Sequence, residues 1–307
     1  MPAAYGALSV GVVGWALSPV FIRFLSEPFD PFTQAFVRYS CAAAALIIIC
    51  GLWLPRELMA AVRQWRPLLA LSVVVVGFQY LWTAACFGAN PTIAQLTTKL
   101  GLLFVILLSF ILFREERGVI KSAAYIVGTI LSLIGVALVL ARAPGSLTPQ
   151  IDRYSLMLLM AAVCWAIYVV TAKHLVFGLH PVAMFTVLAV YCSAGLGLLS
   201  AFFGQPAAIL GLDAQTSALL IISGLFPIAA AHPAYHFAQK HLGSAFCGSV
   251  ELLNPLITFM IAIMIWPDER LNLVQWIGTA ALLTGCFLVL HSRRHAALLR
   301  NAAARES

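Results

Sequence analysis

The sequence predicts an all-α membrane protein of ten transmembrane helices, arranged as two inverted five-helix repeats. Three observations predict it. The 307 residues are 62% hydrophobic and only 9% charged, where a soluble domain carries about 25% charged residues. The apolar residues gather into ten stretches, each long enough to cross a hydrocarbon core of roughly 30 Å as a helix. The two halves also repeat at a shift of about 150 positions.

In chain order the spans cover about 5–25, 32–54, 66–88, 91–113, 119–141, 154–176, 181–203, 216–238, 244–266 and 271–291. The first lacks a basic leader, and its apolar run exceeds the 7–15 residues of a signal-peptide core, so it is expected to stay as a spanning helix. Connections are short. The last segment, 293–307, is a basic tail expected at the membrane surface or disordered.

Lys and Arg set the expected orientation. One set of loops holds Arg56, Arg63, Arg66, Arg114, Arg117, Lys121, Lys173 and Lys240, and with Arg293, Arg294, Arg300 and Arg305 makes twelve. The opposite set holds four: Arg23, Arg142, Arg153 and Arg270. Both termini should therefore face the cytoplasm, in a bacterial-type inner membrane. The net charge of +7 is spread over these loops and the tail, so it speaks for membrane orientation and not for nucleic acid. Seven cysteines, an odd number without CxxC spacing, read as buried packing residues. No disulfide, structural metal or cofactor is expected.

Shifted by 150, Trp15-Ala16 falls on Trp165-Ala166, Arg23 on Lys173 and Pro31 on Pro181. The stretch Gly128 to Leu140 falls on Gly278 to Leu290 with seven of thirteen positions identical. At a shift of 153, Glu115-Glu116-Arg117 falls on Asp268-Glu269-Arg270. This divides the chain into a first repeat, 1–145, a second repeat, 150–292, and the tail. Five spans per half invert the second repeat. Inverted repeats place a substrate site near the bilayer midplane, at their interface.

The stretch from His241 to Arg270 carries the strongest site expectation. Glu251 lies inside an apolar span, and a lone charge there costs a few kcal/mol. Pro255 has no N–H, so the carbonyl of Glu251 loses its helical partner. Ser244, Cys247, Glu251, Asn254 and Thr258 step by three or four and share one face. That face must look at protein or at a wet cavity. Glu251 can ligate a substrate amine, carry a proton, or form a structural ion pair with Lys99 or Arg38. Lys99, midway along span 4, can neutralise Glu251 or hold a substrate carboxylate. Arg38 in span 2 can tie a helix to backbone carbonyls or line the site. His232, Tyr235 and His236 sit one helical turn apart in span 8, read as cavity lining or proton relay. Pro227 and Pro233 should bend that span. Gln79 in span 3, with Trp15 in span 1 and Trp165 and Tyr168 in span 6, completes the candidate lining.

On the repeated Trp-Ala, Arg38, the acidic pair closing spans 4 and 9, and the Gly-x(6)-Gly pattern of Gly128/Gly135 and Gly278/Gly285, the chain resembles the drug/metabolite transporter superfamily, in its ten-helix EamA-type branch. The resemblance covers essentially the whole chain. It implies a central cavity ringed by spans 1–4 and 6–9, with 5 and 10 outside. It also implies alternating-access movement of small metabolites, often outward, and no enzyme activity. The family pattern has a proline in span 4 where Asn254-Pro255 stands in span 9; here Gly101-Leu102 takes that place, so span 4 is expected to be the straighter of the two. No P-loop or Rossmann pattern appears, so transport would run on gradients. The expected partners are a small solute, leading with a zwitterion such as an amino acid, membrane lipids, and protons as coupling ion, in a monomer or homodimer. The competing expectation is a membrane scaffold or lipid-handling protein whose buried charges only pair with one another.

Overall fold

The computed structural model describes residues 2–112, 122–141, 147–175, 178–267 and 270–306. Arg114, Glu115, Glu116, Arg117, Lys121, Arg142, Asp268 and Glu269, and the side chains of Lys173, Ser244 and the tail, lie outside the described residues.

The protein is an all-α membrane protein of ten transmembrane helices in two inverted five-helix repeats. Among the described residues, eight helices are long and apolar enough to cross a membrane: Pro2–Phe24, Pro31–Trp53, Trp65–Gly88, Arg153–Ala172, Pro181–Phe203, Ala214–Leu242, Phe246–Ile265 and Leu273–Ser292. The shorter apolar helix Ala123–Val139 is span 5. Span 4 is two helices, Pro91–Thr98 and Gly101–Leu112.

Local chemistry starts these helices. Pro31, Pro91 and Pro181 each stand at the first helical position, where the missing N–H is no loss. Asp30 Oδ1 accepts from Phe32 N and Thr33 N, and Asn90 Oδ1 accepts from Thr92 N and Ile93 N, so both helix starts are capped. A short helix unexpected from the sequence, Pro55–Arg63, joins spans 2 and 3. It buries Ala61 and exposes Met59, Val62, Arg56 and Arg63, which is the pattern of a helix lying along the membrane surface. The last helix continues without a break from Leu273 to Glu306, so the tail extends span 10 as a helix.

Spans 5 and 10 pack backbone against backbone. A Cβ at Gly128 would stand 2.7 Å from Gly285 O, and one at Gly278 would stand 2.7 Å from Gly135 O. Only glycine permits that approach. Ser132 sits in the same seam, donating to Gly128 O at 2.8 Å. The apolar core is divided. One cluster joins spans 2, 3 and 7 around Tyr39, Leu71 and Phe185; another joins spans 4, 5 and 10 around Leu96, Val136 and Leu282.

Span 9 breaks as expected. Helices Ser244–Glu251 and Asn254–Ile265 are separated at Leu252 and Leu253. Span 4 breaks too, which corrects the expectation of a straighter helix. Its gap, Lys99 and Leu100, falls at the same repeat position, since 98 and 101 shifted by 153 are 251 and 254. Without proline, the break rests on i→i+3 bonding: Lys99 N donates to Leu96 O, Leu100 N to Thr97 O and Leu102 N to Lys99 O. Gly101 then lies so close to span 6 that a Cβ would meet Ala162 O at 3.2 Å. Span 8 bends through a π-helical segment, Leu225–Ala230, which contains Pro227.

Candidate functional site

Three prolines open the backbone around the centre of the bundle. Pro19 cannot donate to Trp15 O. Gln95 of span 4 takes that carbonyl, Nε2 to O at 2.7 Å. Pro227 cannot donate to Ser223 O. Arg38 takes it with both Nε and Nη2, each at 3.4 Å, and Nη2 also donates to Ser18 Oγ at 3.0 Å. Pro255 marks the break in span 9. There Thr258 Oγ1 reaches across to Ala16 O of span 1 at 2.7 Å. Side chains from spans 2, 4 and 9 are thus pinned to main-chain atoms of spans 1 and 8.

The two breaks bring opposite charges together. Lys99 Nζ lies 2.7 Å from Glu251 Oε1. The other carboxylate oxygen, Oε2, accepts from Tyr235 OH at 2.8 Å. Glu251 keeps 20% of its side chain exposed and Lys99 8%, so the pair is not sealed in apolar packing. Asn254 opens the next helical segment and is buried; its Oδ1 has no hydrogen-bond partner.

Aromatic rings close the other walls. The repeat-related Trp15 and Trp165 meet edge to face, centroids 5.7 Å apart at 88°. Trp15 also packs on Tyr235 at 4.4 Å, and Phe78 on Trp165 at 5.3 Å. Trp15 Nε1 donates to His232 Nδ1 at 3.2 Å. That bond needs a neutral imidazole with its proton on Nε2, so the equally close Pro227 O is a contact and not a second hydrogen bond. The His232 ring stacks on Phe185 at 4.6 Å.

These groups line a cavity of about 80 Å3, room for several waters at roughly 10–15 Å3 each. Of the eleven residues expected from the sequence, eight line it: Trp15, Arg38, Gln79, Lys99, Trp165, His232, Glu251 and Asn254. The other three stand behind the wall. Tyr235 supports Glu251. Tyr168 OH and His236 Nε2 pair at 3.0 Å, and His236 Nδ1 meets Gln239 Oε1 at 3.2 Å. Phe78, Trp82, Gln95, Thr98 and Ser18 also line the cavity, beyond the expected set. Gln95 carried a usable sign in the sequence: a buried amide one turn before Lys99, on the same helical face. Phe78 and Trp82 carried none, because aromatic residues in spans are usually packing or interfacial anchors.

The comparisons agree with this architecture. A curated protein of Haemophilus influenzae (strain ATCC 51907 / DSM 11121 / KW20 / Rd), named an uncharacterized transporter, is 23% identical over 281 residues, covering 88% of this chain and 91% of its own length. A protein of known crystal structure superposes with a TM-score of 0.60 at 18% identity, covering 96% of this chain and 99% of that one, a likeness of fold. The EamA-like transporter family matches twice, over residues 3–141 and 153–291. Those two matches take in nearly the whole chain, one per five-helix half, and the chain belongs to the EamA-like transporter family.

Proposed function

We propose that this membrane transporter is a secondary exporter of a small polar or zwitterionic metabolite, working by alternating access around the cavity between spans 4 and 9. One observation carries the reading. Two helix breaks at equivalent repeat positions face a single cavity and place Lys99 and Glu251 on its wall. Broken helices at a repeat interface are the usual seat of a transported solute. They also supply hinges, because the regular α-helix is interrupted at each break and i→i+3 bonds take over there. A scaffold whose charges only pair would be expected to seal the Lys99–Glu251 pair in dry packing, and here a cavity adjoins it.

Proton coupling fits the same pair. Glu251 holds Lys99 on one oxygen and Tyr235 on the other. Protonation would weaken both contacts and free Lys99, a charge change at the hinge of each repeat. The twelve-to-four Lys/Arg asymmetry supports both termini in the cytoplasm of a bacterial-type inner membrane. A reporter fused after His291 should read as cytoplasmic, and a periplasmic reading would overturn that orientation. The transport reading is tested by melting the purified protein against a panel of small metabolites, then assaying the best stabiliser for counterflow in proteoliposomes, because a ligand stabilises in proportion to its occupancy. Saturable counterflow is expected. A stabiliser that binds but never crosses would overturn it.

A further inference from the structure

The charges on the cavity wall do not balance. Its lining holds two cations, Arg38 and Lys99, and one carboxylate, Glu251. Both oxygens of Glu251 are already engaged, one by Lys99 and one by Tyr235. Arg38 has no such counterpart. Only 1% of its surface is exposed. Its partners are Ser18 Oγ and Ser223 O, reached through Nε and Nη2. No carboxylate pairs with it among the described residues, and its Nη1 donors stay uncommitted. A second wall group, the buried amide of Asn254, also lacks a partner for its Oδ1. The remaining walls are largely aromatic, from Trp15, Phe78, Trp82 and Trp165.

Resting on the transport reading above, we propose that the solute is a small organic monoanion with a flat apolar body, and that Arg38 anchors its carboxylate. The uncommitted Nη1 of Arg38 can donate to a carboxylate oxygen, and a charge-assisted bond of this kind is about twice as strong as a neutral one. An amine would have to displace Lys99 from Glu251 and would leave Arg38 uncompensated. A zwitterion satisfies Arg38 with its carboxylate and can set its ammonium on Asn254 Oδ1, but it leaves the wall with one positive charge in excess. A monocarboxylate displaces nothing and brings the wall to neutrality.

The test uses four probes of similar size on the purified full-length protein: benzoate, its neutral isostere benzamide, phenylalanine and phenethylamine. Saturable thermal stabilisation gives each affinity. Benzoate should bind at least about tenfold more tightly than benzamide, a gap of about 1.4 kcal/mol, and more tightly than phenylalanine or phenethylamine. Arg38→Gln should remove the benzoate shift. Because that variant releases Ser223 O and can fail to fold, the benzoate–benzamide ratio in the unaltered protein decides the matter alone. Equal binding of those two, no benzoate binding, or tighter binding of phenylalanine or phenethylamine overturns the monoanion assignment. Phenylalanine binding with benzoate silent would do so while leaving the transport reading intact; a wider metabolite panel that yields no transported ligand would remove that reading as well.

Discussion

Spans 5 and 10 and spans 4 and 9 are both repeat-related pairs, and they use the repeat in opposite ways. In the first pair the residues themselves recur. Gly128 and Gly135 match Gly278 and Gly285, and the four meet in one close seam. In the second pair the backbone recurs and the residues do not. Both spans break at the same position, yet Thr98 stands opposite Glu251, Lys99 opposite Leu252, and Gly101-Leu102 opposite Asn254-Pro255. Symmetric sequence gives a symmetric contact that only holds the halves together. Symmetric geometry with asymmetric chemistry gives a place where one charge of each sign can face a single solute.

That contrast can be broken at the seam first, where the largest effect is expected. Gly135→Leu would drive a side chain into Gly278 O and the backbone of Leu282. Neither backbone can yield without parting the helices, so the cost should be about 3 kcal/mol or more. The measurement is yield and melting temperature in detergent. Near-normal melting would show that the seam is not the close contact described.

Next comes the break. Glu251→Gln keeps size and the contact to Tyr235 but leaves Lys99 buried without its counter-charge. Removing one partner of a buried pair costs roughly 3 kcal/mol, and the partial exposure of Glu251 should trim this. A melting temperature equal to wild type would mean that Lys99 is neutral or otherwise satisfied.

The smallest effect lies away from both, at Asp30, outside the spans. Its carboxylate caps span 2 and also accepts from Gln205 N at 2.8 Å, tying two loops together. Partial burial pushes its pKa up, but hydrogen bonds from Thr33, Gln205 and Phe32 outweigh that and hold it below the usual carboxylate value. A lowered folded-state pKa contributes stability that is present above about pH 4 and is lost as pH falls through the folded value. Asp30→Ala should cost about 1 kcal/mol at neutral pH, with the difference from wild type shrinking in acid. A difference that grows in acid would contradict the assignment.

Much of this contrast was legible in the sequence. The glycine seam showed as identical residues at one shift. The break in span 9 showed as Pro255, and the polar wall as Glu251, Lys99, Arg38 and Asn254, because charge and amide groups are rare in apolar spans. The break in span 4 did not show. No proline marks it; it rests on four i→i+3 bonds and on the approach of Gly101 to Ala162, which only the folded backbone shows. The pairing of Arg38 with Ser223 O was readable only in part. Pro227 announces a freed carbonyl, but only the fold shows which side chain reaches it. Tyr168 and His236 looked like lining from helical position, and the structure turns them toward each other.

The central claim is that the Lys99–Glu251 pair belongs to the transport site and is more than a structural ion pair. The double variant Glu251→Gln/Lys99→Met tests it most directly. It removes both charges, so it should recover most of the melting temperature lost in Glu251→Gln alone. Counterflow of the strongest panel stabiliser in proteoliposomes, measured beside that melting temperature, gives the answer. Recovered stability with counterflow still absent, or with its pH dependence abolished, is the predicted result; full counterflow with the wild-type pH profile in the double variant would contradict it.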